Sequence, residues 1–262
     1  MTTEFYEELV RILEGSVLGH NARKIIALHC KIAGKNPEKL NHEEGYKIII
    51  DLMANVSCIL FDDEWEVLEH DIKNIINSHG GKFERVKGLV LSSVFDYVAD
   101  VSMQNSTKEF RKAIRNIRSP HEIRDESWYP IDFLEELLSS SEKIIGNSNS
   151  SLSMTIGDHI VTNNHFFQEK YSKLCREQAN IEDVLAHIDD IFELTNFIVE
   201  KKNEQELVLS FDSQDSDHFQ EFLIGVCQGL CTIRDVYPID IRQYKENGMT
   251  SILVKLKNNG GV

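Results

Sequence analysis

Phe197-Ile198-Val199-Glu200, the polar Lys202-Asn203-Glu204-Gln205 and Leu207-Val208-Leu209-Ser210-Phe211 read as two short apolar strands joined by a turn. Downstream, Phe219, Phe222, Leu223, Val226, Cys227 and Leu230 recur at three- and four-residue steps, which predicts one buried helical face. Then Ile239-Asp240-Ile241-Arg242-Gln243-Tyr244 and the run from Met249 to Leu256 alternate in period two around Asn247-Gly248, the dipeptide that best fits a two-residue hairpin turn. The order is hairpin, helix, hairpin. Four antiparallel strands with the intervening helix on one face can share a core, and the other face is expected to receive the preceding helices. The expected fold class is α+β: an N-terminal all-α helical bundle, then an α+β domain with a four-stranded antiparallel sheet (a ββαββ core) and packed helices.

Working back toward the N-terminus, the pattern is helical. Phe5, Leu9, Ile12 and Leu13 share one face before Gly15. Ala22, Ile25, Ile26, His29, Ile32 and Ala33 keep the 3.6 period up to Gly34, which is placed for a left-handed C-terminal cap. Asn36-Pro37 and Asn41 supply capping chemistry, and Asp62 or Asp63 opens a helix carrying Trp65, Leu68, Ile72, Ile75 and Ile76. Gly80-Gly81 reads as a domain boundary, dividing a helical domain (residues 1–80) from an α+β domain (residues 83–258). Within the second, helices are expected from Lys87 to Ala99, Thr107 to Ile117, Pro130 to about Gly146, Leu152 to Val161, His165 to Cys175 and Ile181 to Thr195.

The 262 residues carry 28 Lys and Arg against 43 Asp and Glu, a net charge of −15. Such a field repels phosphates and anionic lipid headgroups, so nucleic acid and membrane surfaces are poor partners. No apolar run approaches the roughly 20 residues that span a bilayer. The acidic start, Met1-Thr2-Thr3-Glu4-Phe5-Tyr6-Glu7-Glu8, does not read as a secretory leader, so the expected location is the cytoplasm, with the five cysteines as free thiols. One basic stretch, Lys108, Arg111, Lys112, Arg115, Arg118 and Arg124, reverses the field locally and suits an acidic protein surface.

Catalytic signatures are missing. No phosphate-binding glycine loop and no Gly-x-Ser-x-Gly elbow occurs, and His42-Glu43 and His121-Glu122 lack the second histidine of a metalloprotease helix. Cys227 and Cys231, four apart, would share a helix face and could ligate a soft metal with two further groups, but as small apolar residues they suit the buried core face better, so no metal site is assigned. His159, His165 and His187, the last beside Asp183 and Asp190, are candidate ligands or proton carriers or else solvated helix residues.

From about Phe83 to Lys257 the chain resembles the 4-vinyl-reductase-like domain and the related heme-NO-binding-like sensor superfamily. The likeness is carried by Lys87-Gly88-Leu89-Val90, Trp128-Tyr129-Pro130, Thr155-Ile156-Gly157, Phe222-Leu223-Ile224-Gly225 with Gly229-Leu230, and Ile239-Asp240-Ile241. The resemblance implies a dimeric intracellular sensor or scaffold, with a ligand pocket beside the sheet. Two departures qualify it. The heme-NO sensors hold porphyrin propionates through Tyr-x-Ser-x-Arg, whereas the nearest run here is Tyr171-Ser172-Lys173-Leu174-Cys175-Arg176; aromatic-sensing members hold zinc through cysteines at and after the last hairpin, whereas the last cysteine here is Cys231. The cofactor is therefore left open. The expectation is a non-enzymatic sensor of a small hydrophobic ligand, its helical domain serving output or a protein partner. Pocket candidates are Trp128, Phe222, Val226, Cys227, Leu230 and Tyr237. The alternatives are a dimeric scaffold without ligand and a metal- or heme-dependent protein.

Overall fold

A computed structural model describes residues 4–16, 18–40, 44–45, 48–49, 52, 62–79, 84–101, 123–145, 151–165, 167–169, 173, 180–212, 216–234, 236, 238–246 and 248–257. The glycine pair at 80–81, the helix expected from Thr107 to Ile117 and most of that from His165 to Cys175 lie outside them. The chain divides into two compact units, Met1–Arg85 with Glu126–Pro130, and Val86–Asp125 with Ile131–Val262.

The first unit contains α1 (Glu4–Gly15), α2 (Ala22–Ile32) and α3 (Asp62–Ser78). Phe5, Leu9 and Leu13 of α1 meet Ile26 and Cys30 of α2 and Ile72 and Ile76 of α3 in one apolar core. Gly34 ends the second helix as its spacing predicts: its φ is +68°, its N–H donates to the Lys31 carbonyl, and the Lys35 N–H donates to the Cys30 carbonyl at 2.7 Å. One expectation fails here. Ile32 is 62% exposed, and the buried face of α2 runs through Ala22, Ile26, His29 and Cys30 instead, because steps of four and three from Ala22 rotate past Ile32. Below this core the Arg85 guanidinium, 3% exposed, donates to Glu69 at 2.7 Å and stands 5.1 Å from the Trp128 ring.

The second unit begins where β1 (Arg85–Lys87) hands over to α4 (Gly88–Val101), so Lys87 is a strand residue rather than the first of a helix. β2 (Trp128–Pro130) precedes α5 (Ile131–Ile145), and α6 (Leu152–Asn163) is capped by Ser151, whose Oγ accepts from the Met154 N–H. The predicted helix from Ile181 to Thr195 is shorter than expected. α7 (Ile181–Ala186) tightens into a 3-10 turn at His187–Asp190 and gives way to β3 (Phe192–Glu193), because the Ile191 carbonyl is taken by the Lys87 N–H of β1. Within this unit β3 lies beside β1.

β4 (Ile198–Asn203), β5 (Glu206–Asp212), α8 (Asp217–Ile233), β6 (Pro238–Glu246) and β7 (Met249–Leu256) give the hairpin, helix, hairpin order read from the sequence. The sheet runs β4-β5-β7-β6, antiparallel throughout. Glu246 pairs with Met249 across the two-residue turn, and Gly248 takes φ +82° as that turn requires. The register puts Leu207, Leu209 and Phe211 beside Val254, Ile252 and Thr250 on one face. Against it lie Phe219 and Phe222 of α8, with rings at 6.3 Å from Phe211 to Phe219 and 6.1 Å from Phe192 to Phe222.

α6 packs along α8, whose residues are buried nearly all round, from Phe219 and Gln220 to Leu230 and Cys231. The approach is at backbone distance. A Cβ on Gly225 would overlap the Met154 carbonyl, one on Gly157 the Phe222 carbonyl, and one on Gly229 the Val161 side chain. The sheet's other face carries exposed Ile198 and Tyr244.

Two outcomes follow from this packing. Gly225→Ala should lower stability by about 1–3 kcal/mol in urea unfolding, since a backbone oxygen cannot give way as a side chain can, while Gly15→Ala, with open space around it, should change little. Equal stability of the two variants would refute the backbone seam. Glu69→Gln should cost about 3 kcal/mol at pH 7. Burial raises the Glu69 carboxyl, but the charges of Arg85 and Lys73 outweigh it and hold the group below the usual carboxylate range. Its contribution is therefore complete above the unfolded value of about 4.3 and fades as pH falls through the lower folded value, so wild type and variant should converge in acid.

Candidate functional site

The proposed pocket residues fall on α8, which is held by a Ser216 cap accepting from the Phe219 N–H. Phe222, Val226, Cys227 and Leu230 are all fully buried, as is Cys231. Between the sheet and α8 the space is filled by the rings of Phe192, Phe211, Phe219 and Phe222, and Gln220 is hydrogen-bonded to Gln243 of β6. Trp128 is half-buried in β2, in the first unit, under the Arg85 guanidinium. Tyr237 lies outside the described residues. The α8 residues thus form one continuous surface, and it is a packed one.

The cysteines are not in disulfides among the described residues, where Cys30, Cys227 and Cys231 are all buried. Burial, reinforced by the neighbouring Cys231, pushes the Cys227 thiol far up. A metal takes the thiolate, so this setting opposes ligation and suits the thiol as a small apolar core group.

The described histidines of the second unit do not converge. His159 on α6 stacks edge-on against Tyr97 at 4.7 Å and sits 3.2 Å from the Asn163 amide. His165 is 92% exposed, with Glu169 4.0 Å away. His187 lies 3.1 Å from Asp190 on the 3-10 turn, where burial and then Asp190 raise the Asp189 carboxyl. His218, near the start of α8, faces Glu142 of α5 at 3.3 Å. His218 escaped the sequence reading, although His218-x-x-Glu221 places two ligand types on one face of a helix.

These placements bear on heme. An axial histidine must stand over an open apolar slot. Among the described residues of this unit each histidine is instead at the surface, stacked on a ring or beside an acid, and the α6–α8 seam is closed at backbone contact. The described residues do not fit a porphyrin.

The chain matches no known protein family by sequence profile, and no curated protein matches it. Solved structures do match. The Fe(II) unliganded H-NOX protein from K. algicida superposes with a TM-score of 0.50 at 18% identity, covering 67% of this chain and 99% of that one. A point mutant of the same protein gives 0.50 and 18%, with 66% and 98% covered. At this identity the likeness is one of architecture. Two thirds of this chain has the fold of a heme-NO-binding-like domain.

Proposed function

We propose that this chain is a non-enzymatic regulatory protein of the cytoplasm. Its heme-NO-binding-like domain, of the 4-vinyl-reductase-like kind, senses a small hydrophobic ligand other than heme, and its helical unit serves output or a protein partner, with a homodimer as the working assembly. The observation that carries the reading is the fold: nearly the whole length of an H-NOX domain is matched. Three facts shape it. The described histidines of the second unit are spent elsewhere, and the sequence contains neither the Tyr-x-Ser-x-Arg run nor a catalytic motif. The charge of −15 turns the surface away from nucleic acid. Among the described residues no helix is long and apolar enough to cross a membrane.

A second reading is a scaffold without ligand. It is favoured by the packed inner face of α8, where Phe222, Val226, Cys227 and Leu230 are already buried against protein.

Native mass spectrometry of the protein as purified, with hemin titration followed by absorption, separates these. The expected result is a small organic mass excess, or a rise in Tm with apolar ligands, and no stoichiometric Soret band. One-to-one heme uptake would overturn the heme-free reading, and a bare chain mass with no thermal shift would give the scaffold. Phe222→Ala adds a local measure. If that ring is packed core, the loss should be about 3–5 kcal/mol in urea unfolding. A much smaller loss, recovered by added ligand, would mark the ring as the wall of an open pocket.

A further inference from the structure

We propose that Glu142, His218 and Glu221 form a site for one divalent transition-metal ion of the zinc class, placed where the last turn of α5 meets the first turns of α8. The inference does not depend on the sensor reading. It starts from spacing: His218 and Glu221 are three apart on α8, so their side chains share a face, and the packing of α5 against α8 brings Glu142 to the same point. One ligand atom from each of the three lies within 4.8 Å of the other two.

The His218–Glu142 pair is diagnostic. His218 Nδ1 and Glu142 Oε1 stand 3.3 Å apart, and two ligands about 2.1 Å from a tetrahedral ion stand about 3.4 Å from each other. The two atoms are nonetheless not aligned as donor and acceptor. Nδ1 is closed to solvent and makes no hydrogen bond. Two potential ligand atoms at this separation with no hydrogen bond between them are drawn together by a cation lying between them. That is the relation of two ligands sharing an ion.

Serine hydroxyls of the α6 N-terminus orient both carboxylates. Ser151 Oγ donates to Glu221 Oε2 at 2.7 Å while accepting from the Met154 N–H, and Ser153 Oγ, on a buried side chain, donates to Glu142 Oε1 at 3.3 Å. Such outer contacts fix a ligand's direction and leave its other lone pairs for the ion. Two carboxylates and a neutral imidazole balance a double positive charge. One nitrogen and two oxygens suit Zn²⁺ or Mn²⁺ better than Ca²⁺ or Mg²⁺, which take oxygen alone, or Cu⁺, which takes sulfur. Three protein ligands leave the fourth corner to water. With side chains 22% and 35% exposed at Glu142 and His218, an ion can reach the site from solvent. Once there it ties α5 to α8 and, through the serines, to the start of α6.

His187, Asp189 and Asp190 make a second cluster of the same size. All three come from one short 3-10 turn rather than from two packed helices, and they serve as the internal control.

The experiment uses the full chain, stripped with EDTA and dialysed, and titrated with Zn²⁺ by calorimetry and with Co²⁺ by visible absorption. One equivalent should bind at micromolar concentration or below, Tm should rise with added Zn²⁺, and Co²⁺ should give d–d bands of four- or five-coordinate N/O ligation. His218→Ala and Glu221→Gln should each weaken binding by at least the tenfold to roughly 100-fold that loss of an outer contact costs. His187→Ala should leave it unchanged. Circular dichroism melts without metal show whether each variant folds, and the Co²⁺ spectrum of the unaltered chain stands even if one does not. Absence of binding at 100-fold excess would show that His218 and Glu142 form an ion pair and nothing more. Binding lost in His187→Ala but kept in His218→Ala would also overturn the assignment.

Discussion

The approach of α6 to α8 at backbone distance is the constraint on which the second unit is built. Gly157 on one helix and Gly225 and Gly229 on the other leave no side chain between the two backbones, so carbonyls and amides come to van der Waals contact along the seam. A helix gripped so closely on one side and covered by a sheet on the other must be apolar nearly all round, and α8 is. The layers are therefore sheet, α8, then α6. The register of β5 and β7 supplies the matching apolar face, with Phe211 meeting Phe219 at the end where α8 begins.

The same closeness shapes the chemistry. Residues that periodicity marks as the inner face of α8 are consumed in packing, so Cys227 and Cys231 are removed from solvent and burial pushes the Cys227 thiol up. Polar groups able to act are displaced to the helix ends. At the N-terminal ends of α6 and α8, Ser151 and Ser216 satisfy backbone donors that no helical carbonyl can reach, and Ser151 turns its own hydroxyl toward Glu221. Glu142 and His218 arrive at that place because α5 crosses the same end of α8. The first unit shows the same economy with charge. A nearly buried Arg85 is tolerated because Glu69 accepts from it while the Trp128 ring stacks against its face.

The architecture of this chain is shared more widely than its sequence. The H-NOX fold is kept over two thirds of its length at 18% identity, a level at which packing can persist while pocket residues change. A fold fixes where a pocket can form, whereas its side chains decide what that pocket can take. Here the described histidines are committed to a ring, to solvent or to acids, and the seam that flanks α8 is closed.

By itself the sequence determined the local patterns: the 3.6 period of α1 and α3, the glycine cap after α2, the Asn247-Gly248 turn and the hairpin, helix, hairpin order that yields the sheet. These signals lie within a few residues of each other, where steric and capping chemistry act without help from the rest of the chain. Only the tertiary structure decided the rest. The helix predicted from Ile181 to Thr195 stops early because β1 claims its Ile191 carbonyl through Lys87, 104 positions upstream. The candidate metal cluster was half legible. His218 and Glu221 stand three apart in the sequence, but Glu142 lies 76 positions before His218, and a contact of that span exists only once α5 and α8 have packed. Periodicity tells which residues a helix buries, and it carries no information on what they will be buried against.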